Sequence, residues 1–196
     1  MKVVISAVKG AGKTTTIKFI TEKRNDIEVV RVGDYFEKYY KEKGLKRDEG
    51  DKGVSREEHA RIQKEIFDQI AKKIKDYRHV IIDTNLFFSK SEGYFPGLPY
   101  NVLTKISPDV IVVMEYRPED ILERRKKDIQ KLGRERSASL TIEGIRKEQE
   151  VQRMYAFAYS ALTGCAVKIL ERYEPEKFEF QHNKLNAKEI LKLFVE

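Results

Sequence analysis

The stretch AVKGAGKTTT, residues 7–16, has the residue types and spacing of a loop that binds phosphate. It follows a short apolar run and precedes a segment with helical character, which is the context that such a loop requires. Gly10 and Gly12 allow backbone N–H groups to converge on phosphate oxygens, and the N-terminus of the following helix adds favourable partial charge. Lys13 can bridge the β- and γ-phosphates, and the Thr14 hydroxyl can bind Mg²⁺. The sequence therefore predicts a nucleotide site.

One position departs from the usual pattern, because Ala7 stands where such loops begin with glycine. A methyl group is tolerable there if the backbone is still extended and has not entered the left-handed region. We therefore expect Ala7 to lie at the end of the preceding strand, and the loop to bind phosphate in spite of the substitution.

Two carboxylates at the ends of apolar runs are candidates for the magnesium side of the site. HVIID ends in Asp83, and a carboxylate at the end of a buried strand can hold the metal ion or its waters. VIVVME ends in Glu115, for which an ion pair with a neighbouring arginine is at least as good an interpretation. Asp83 is thus the more specific candidate of the two, since it is paired with a phosphate loop.

A basic segment, ERRKKDIQKLGRERSAS, surrounds Gly133. Arginines carry fixed positive charges that can fork onto phosphate oxygens, and a helix with an arginine-bearing loop after the fourth strand suits a phosphate-clamping lid. An ordinary solvated basic helix explains the same composition. The arginines concerned are Arg124, Arg125, Arg134 and Arg136.

NKLN, residues 183–186, has the spacing of the guanine-binding motif of GTPases. Asn186, however, replaces the aspartate that would bind the base. We interpret the segment as a helix cap, and a GTPase switch is the least favoured function.

Five short apolar runs must supply the strands that position these groups, and they show the weak alternation expected of parallel strands covered on both faces. Helical patterns separate them, with Ser55 and Glu58 matching a capping box before the helix 55–77, Pro118 at a first turn, and a further helix over roughly 141–163. We predict an α/β fold with a five-stranded parallel sheet and helices on both faces, and ligands at the carboxyl ends of the strands. The runs are KVVISAV (2–8), IEVVRV (27–32), HVIIDT (79–84), DVIVVMEY (109–116) and CAVKIL (165–170).

Composition limits the class of protein without deciding the function. The 196 residues suffice for one domain, and the charge of +7 suits an anionic partner such as nucleotide phosphates or RNA, or equally a solvated Lys/Glu-rich surface. Cys165 is the single cysteine, so we expect no disulfide framework, a buried structural thiol and a cytoplasmic location. The three histidines lack ligand spacing, and no stretch suggests a zinc site or a membrane span.

From SAVKGAGKTT to about Glu171 the chain resembles the archaeal-type adenylate kinases, a branch of the phosphate-loop nucleoside monophosphate kinases. Each matching piece is short, but their order and spacing are specific in combination. The pieces are VGDY (32–35), RDE (47–49), IIDT (81–84), GYFPGLPY (93–100), EYRPEDILERR (115–125), RER (134–136) and AYSALTGCAVKI (158–169).

The resemblance implies a role for each matching position. Asp34 and Asp83 would hold magnesium through waters, with Thr14 as a direct ligand, and Arg47 would approach the acceptor phosphate from a flap at about 34–77. A short lid at about 131–141 would close over the site, and members of the family are often trimeric. The implied ATP-binding residues are Ala7, Val8, Lys9, Gly10, Ala11, Gly12, Lys13, Thr14, Thr15 and Arg124. The implied catalytic residues are Lys13, Arg125, Arg134 and Arg136, and the acceptor-binding residues are Asp34, Arg47, Asp83 and Asn85.

Departures from the family pattern concentrate on the acceptor side. Asp51 stands where a second arginine is usual, and NLFFSKS, beginning at Asn85, replaces a histidine and a basic Thr-Pro stretch. Ala7 and Lys9 replace the usual glycine and proline of the loop. The predicted function is ATP + AMP ⇌ 2 ADP with Mg²⁺ in a single domain spanning 1–196. A related ATPase acting in RNA or ribosome assembly, and a kinase for another small acceptor, remain alternatives.

Overall fold

The five apolar runs form one parallel sheet, as the sequence predicts, in a computed structural model that describes residues 1–44, 55–132 and 139–194. The strands are β1 (Lys2–Ala7), β2 (Ile27–Arg31), β3 (His79–Asp83), β6 (Val110–Tyr116) and β7 (Ala166–Arg172), while β4 (Phe87–Lys90) and β5 (Gly93–Pro96) form a separate hairpin. The strand order in the sheet is β2-β3-β1-β6-β7, and every neighbouring pair is parallel.

The β4–β5 hairpin is an element that the sequence analysis did not predict. Phe87 pairs with Pro96 and Phe88 with Phe95 in an antiparallel register. Gly93 adopts φ 133° where the chain enters β5, a conformation that favours glycine. The two aromatic runs FFSK and GYFP on either side of the turn were the available signal for a hairpin.

Helices connect the parallel strands, and their ends follow the expected capping chemistry. The Ser55 hydroxyl accepts from the backbone N–H of Glu58 at 3.2 Å, Pro118 opens its helix, and the Thr141 hydroxyl accepts from the N–H of Gly144. The helices are α1 (Lys13–Thr21), α2 (Val32–Glu42), α3 (Arg56–Lys73), α4 (Tyr100–Ile106), α5 (Pro118–Leu132), α6 (Ile142–Thr163) and α7 (Gln181–Leu191), with a short 3-10 turn at Ile74–Asp76.

Two apolar layers cover the two faces of the sheet, because alternate strand residues point to opposite sides. Val4 of β1 faces a layer that contains the predicted isoleucine stripe of α3, from Ile62 to Ile74. Val3 and Ile5 face a second layer that contains residues of α1, α5 and α7. Burial on both faces explains why the strand sequences are continuously apolar.

The order of the strands reverses at β1, and this places the phosphate loop at the carboxyl edge of the sheet where α/β proteins bind ligands. β1 lies between β3 and β6, and Ile5 pairs with Asp83 at the end of β3. The predicted flap, 34–77, and lid, 131–141, each include residues outside the described ranges, so their boundaries stay predictions.

Candidate active site

The loop between β1 and α1 has the geometry that its glycines require. Gly10 has φ 86° and Gly12 has φ 82°, both in the left-handed region, and the backbone N–H of Ala11 donates to the Val8 carbonyl oxygen at 3.1 Å. Ala7 still belongs to β1 and pairs with Met114 of β6. Glycine is therefore not needed at position 7, as expected.

Lys13, the first residue of α1, lies against the carboxyl end of β3. Its Nζ is 2.7 Å from Asp83 Oδ1 and donates to the Thr84 carbonyl oxygen at 2.9 Å and to Asn85 Oδ1 at 3.4 Å. The side chains of Lys13 and Asp83 are only 16% and 11% exposed. The structure thus brings the predicted phosphate lysine, the predicted magnesium carboxylate and the predicted acceptor residue Asn85 into one group.

The three candidate magnesium residues line one cavity of about 780 Å³. Thr14 lies at the N-terminus of α1, Asp34 in the first turn of α2, and Asp83 at the end of β3. Hydroxyl and carboxylate oxygens are the donors that Mg²⁺ prefers, and few protein ligands suffice when phosphate and water complete the shell. Thr14, Asp34 and Asp83 therefore form a donor set that would fit a nucleotide-bound Mg²⁺.

Arg125, a predicted catalytic residue, is buried against the phosphate loop. Its Nε donates to the Lys9 carbonyl oxygen at 2.8 Å, its Nη1 to the Ser139 carbonyl oxygen at 2.6 Å, and its Nη2 to Glu148 at 2.6 Å. A Cβ on Gly10 would lie 3.0 Å from the Arg125 side chain. Arg125 is therefore no solvated surface arginine, and it joins the loop to α6 and to Ser139, which lies within the predicted lid.

Arg124 contacts Tyr116 and Glu176, neither of which lines the 780 Å³ cavity. Its guanidinium lies 5.5 Å from the Tyr116 ring centroid, and its Nη2 is 3.2 Å from Glu176. The proposed contact with ATP stays a prediction. Arg47, Arg134 and Arg136 lie outside the described residues.

Glu115 takes the ion-pair role that the sequence left open. It is 1% exposed, and its carboxylate accepts from both Arg153 and the Tyr173 hydroxyl. Burial, followed by this carboxylate, raises the pKa of Tyr173. The group lines a separate cavity of about 620 Å³ and not the cavity of the phosphate loop.

Part of the lining of the 780 Å³ cavity is aromatic, and the β4–β5 hairpin supplies some of these rings, which we call the aromatic wall. The centroid of the His59 ring of α3 lies 5.9 Å from that of Phe36 and 4.5 Å from that of Phe88, which stacks in turn on Phe95 at 5.6 Å. The NLFFSKS departure thus places aromatic rings in the same cavity as the phosphate loop. Such rings suit the flat face of a nucleobase.

Two contacts anchor this hairpin to the body of the protein. The Gln63 Nε2 donates to the Gly97 carbonyl oxygen at 2.7 Å, and a Cβ at Gly97 would come within 2.0 Å of the Asn85 carbonyl oxygen. The Tyr159 hydroxyl donates to the Leu86 carbonyl oxygen at 2.7 Å. Burial raises the pKa of Tyr159, so this hydroxyl keeps its proton well beyond the neutral range.

NKLN is not a helix cap, so that interpretation was wrong. α7 begins at Gln181, and Asn183 and Asn186 lie inside it, 2% and 0% exposed. Asn183 donates to the Gly12 carbonyl oxygen and to the Thr16 hydroxyl. Asn183 is the site residue that the sequence analysis missed, since nothing local to NKLN points to a loop about 170 positions away.

Comparison with known proteins first defines the class. A family model described as the AAA domain, a phosphate-loop domain, matches residues 7–146. A shikimate kinase from Bacteroides thetaiotaomicron superposes with a TM-score of 0.57 at 12% identity, covering 98% of this chain and 97% of that one. A shikimate kinase from Acinetobacter baumannii gives 0.56 at 13% identity, covering 98% and 91%. At this identity the likeness shows the fold alone, which is that of a phosphate-loop kinase.

Sequence relatives define the family within that class. An adenylate kinase from Pyrobaculum aerophilum is 37% identical, covering 100% of this chain and 97% of the relative. One from Methanocaldococcus jannaschii is 39% identical, covering 86% and 88%. The chain belongs to the adenylate kinase family, in its archaeal branch. In the described ranges no helix is long and apolar enough to cross a bilayer.

Proposed function

We propose that the protein transfers the γ-phosphoryl group of ATP to AMP, giving two ADP, with Mg²⁺. The observation that carries the proposal is that one cavity is lined both by Lys13, Thr14 and Asp83 and by the aromatic wall. Donor phosphates and acceptor base would thus lie in one continuous space. The adenylate kinase relatives support this assignment.

Positioning and charge carry the mechanism, because phosphoryl transfer of this kind needs no covalent intermediate on the enzyme. Backbone N–H groups at the start of α1, which have no partner inside the helix, bind the donor phosphates. Lys13 would exchange Asp83 for the β- and γ-phosphates. Thr14 directly, and Asp34 and Asp83 through water, would hold a Mg²⁺ ion, whose charge would offset that of the phosphates.

The acceptor binds between the hairpin and α2, with its base against Phe36, His59 and Phe88. Asn85, already 3.4 Å from Lys13, lies where acceptor and donor phosphates meet. The predicted flap and lid close over both nucleotides and keep water from the γ-phosphate, since water would otherwise compete with the acceptor. Arg47, Arg134 and Arg136 are proposed to supply further positive charge on closing.

The test is ADP formation from ATP and Mg²⁺ against AMP, GMP, CMP, UMP and shikimate as separate acceptors. The proposal expects AMP to give the highest kcat/KM. A rate of ADP formation that does not depend on AMP would favour the ATPase alternative. A higher kcat/KM for any other acceptor would overturn the AMP assignment. Repetition with EDTA in place of Mg²⁺ is expected to abolish turnover.

We also propose that the protein is cytoplasmic, which suits its single cysteine, Cys165. A further part of the proposal is that copies of the chain associate with one another. One face of α6 exposes Met154 (66%), Phe157 (53%) and Leu162 (55%), while Tyr159 on the other face is buried. An apolar stripe of this kind suits a contact between copies. Light scattering of the wild type and of Phe157→Glu tests it, with Phe178→Glu, exposed elsewhere, as the control. A monomeric wild type would contradict it.

A further inference from the structure

A buried amide from α7 contacts the phosphate loop from behind. Asn183 Nδ2 donates to the Gly12 carbonyl oxygen at 2.9 Å and to Thr16 Oγ1 at 3.0 Å. Because a carbonyl oxygen only accepts hydrogen bonds, the amide nitrogen and not the amide oxygen must face Gly12. A polar contact therefore ties the last helix to the loop, in addition to the apolar packing of α1 on α7.

The geometry of the Gly12–Lys13 peptide gives this contact a consequence for phosphate binding. The Gly12 carbonyl oxygen accepts two hydrogen bonds, one from Asn183 and one from the backbone N–H of Thr16 at 3.1 Å. A trans peptide is planar, and its C=O and N–H point in opposite directions. A carbonyl held toward α7 therefore directs the Lys13 N–H toward the interior of the loop.

Asn183 and the backbone conformation together leave no room for a side chain at position 12. A Cβ on Gly12 would lie 2.7 Å from Asn183 Nδ2, and φ of 82° already favours glycine. Beyond the loop, Asn186 Nδ2 donates to the Tyr116 hydroxyl at 2.9 Å. Asn186 thus shares the helix and the burial with Asn183, but its amide bonds to Tyr116 and not to Gly12.

We infer that Asn183 is a positioning residue of the donor site, which holds the Gly12–Lys13 peptide in the orientation that presents its N–H to a phosphate oxygen. This inference depends on the proposed binding of ATP by the loop. Asn183 affects ATP binding through its hydrogen bond to Gly12 and not through contact with the nucleotide. It predicts that loss of the amide weakens ATP binding selectively.

The experiment measures the Kd for Mg·ATP by calorimetric titration, and KM for ATP and AMP, in the wild type and in Asn183→Ala. We expect the Kd and KM for ATP to rise about tenfold, as for the loss of one or two buried hydrogen bonds, with KM for AMP unchanged. Asn183→Asp keeps the shape but lacks the donors and repels the carbonyl oxygen, so it should weaken ATP binding at least as much. Asn183→Asp also provides the test if Asn183→Ala does not fold.

Asn186→Ala is the matched control. It should lower the thermal midpoint to a similar degree and leave the Kd for ATP at the wild-type value. The inference would be overturned if both Asn183 variants kept the ATP affinity of the wild type. It would also be overturned if Asn186→Ala lost as much ATP affinity as the Asn183 variants. Tight ATP binding by a wild type that makes no ADP from AMP would instead contradict the proposed function alone, and a wild type that binds no ATP would contradict both.

Discussion

Lys13 Nζ lies 2.7 Å from Asp83 Oδ1, so the phosphate-loop lysine forms an ion pair with the carboxylate at the end of β3. Neighbouring strands produce this contact, because β1 leads into the loop and pairs in parallel with β3. Both side chains are largely buried, so the ion pair satisfies two charges that lie beside the loop.

Asp83→Asn removes the negative charge and keeps the shape of the side chain. In the proposed function Asp83 holds the Mg²⁺ ion that would stabilise charge in the transition state, so we expect kcat to fall by about a hundredfold or more. A coupled ADP assay measures the effect. Asp26→Asn is the control, since Asp26 is an exposed carboxylate paired with Arg24 at the surface. Equal activity in the two variants would contradict a metal role for Asp83.

Arg125→Ala breaks the connection between the loop, Ser139 and Glu148. Removal of one partner of a buried ion pair costs about 3 kcal/mol, which corresponds to a fall in Tm of roughly 6–12 °C for a chain of this size. KM for ATP should rise as well, because Lys9 loses the donor that holds its carbonyl. Lys127→Ala, exposed on the same helix, should change neither quantity. A normal Tm with lost turnover would instead indicate a catalytic role without a structural one.

Phe88→Ala opens the aromatic wall of the cavity that the phosphate loop also lines. We expect KM for AMP to rise about tenfold with little change in KM for ATP, since aromatic contacts contribute on the order of 1 kcal/mol beyond their buried area. Steady-state kinetics with each substrate varied in turn measures the difference. Tyr94→Ala changes an exposed ring of the same hairpin and serves as the control. Parallel increases in both KM values would place the acceptor base elsewhere.

His79 should make stability depend on pH. Burial first, and then the N-terminal ammonium and Arg78, lower the pKa of this imidazole. The unfolded chain, with a pKa of about 6.5, therefore takes up a proton that the native protein resists, so the free energy of unfolding falls as the pH drops below about 6.5. Chemical unfolding from pH 7.5 to 5 should show this slope, and His79→Leu should reduce it. Identical slopes in both proteins would contradict the prediction.

Features encoded over short distances could be predicted from the sequence. The parallel strands, the Ser55 cap, the loop with Gly10 and Gly12 and the strand-end Asp83 each depend on residues within a few positions of one another. The curated relatives and the fold confirm the class of protein that those features imply.

What the sequence did not reveal depends on contacts between distant segments. The pairing of Glu115 with Arg153 and Tyr173 was one of two open interpretations, because nothing in VIVVME distinguishes a metal ligand from an ion-pair partner. Asn183 was assigned to a cap because its real partners, Gly12 and Thr16, lie at the other end of the chain. The hairpin was missed because its strands have only four residues each.

The central claim is that the loop at residues 7–16 binds the donor phosphates and that Lys13 acts on them. The most direct measurement is ADP formation from ATP and AMP by Lys13→Ala, beside Lys18→Ala, which removes an exposed lysine of the same helix. Both variants should show the circular dichroism of the wild type. The account predicts wild-type turnover for Lys18→Ala and a loss of at least about a hundredfold for Lys13→Ala. Near wild-type turnover by Lys13→Ala would contradict it.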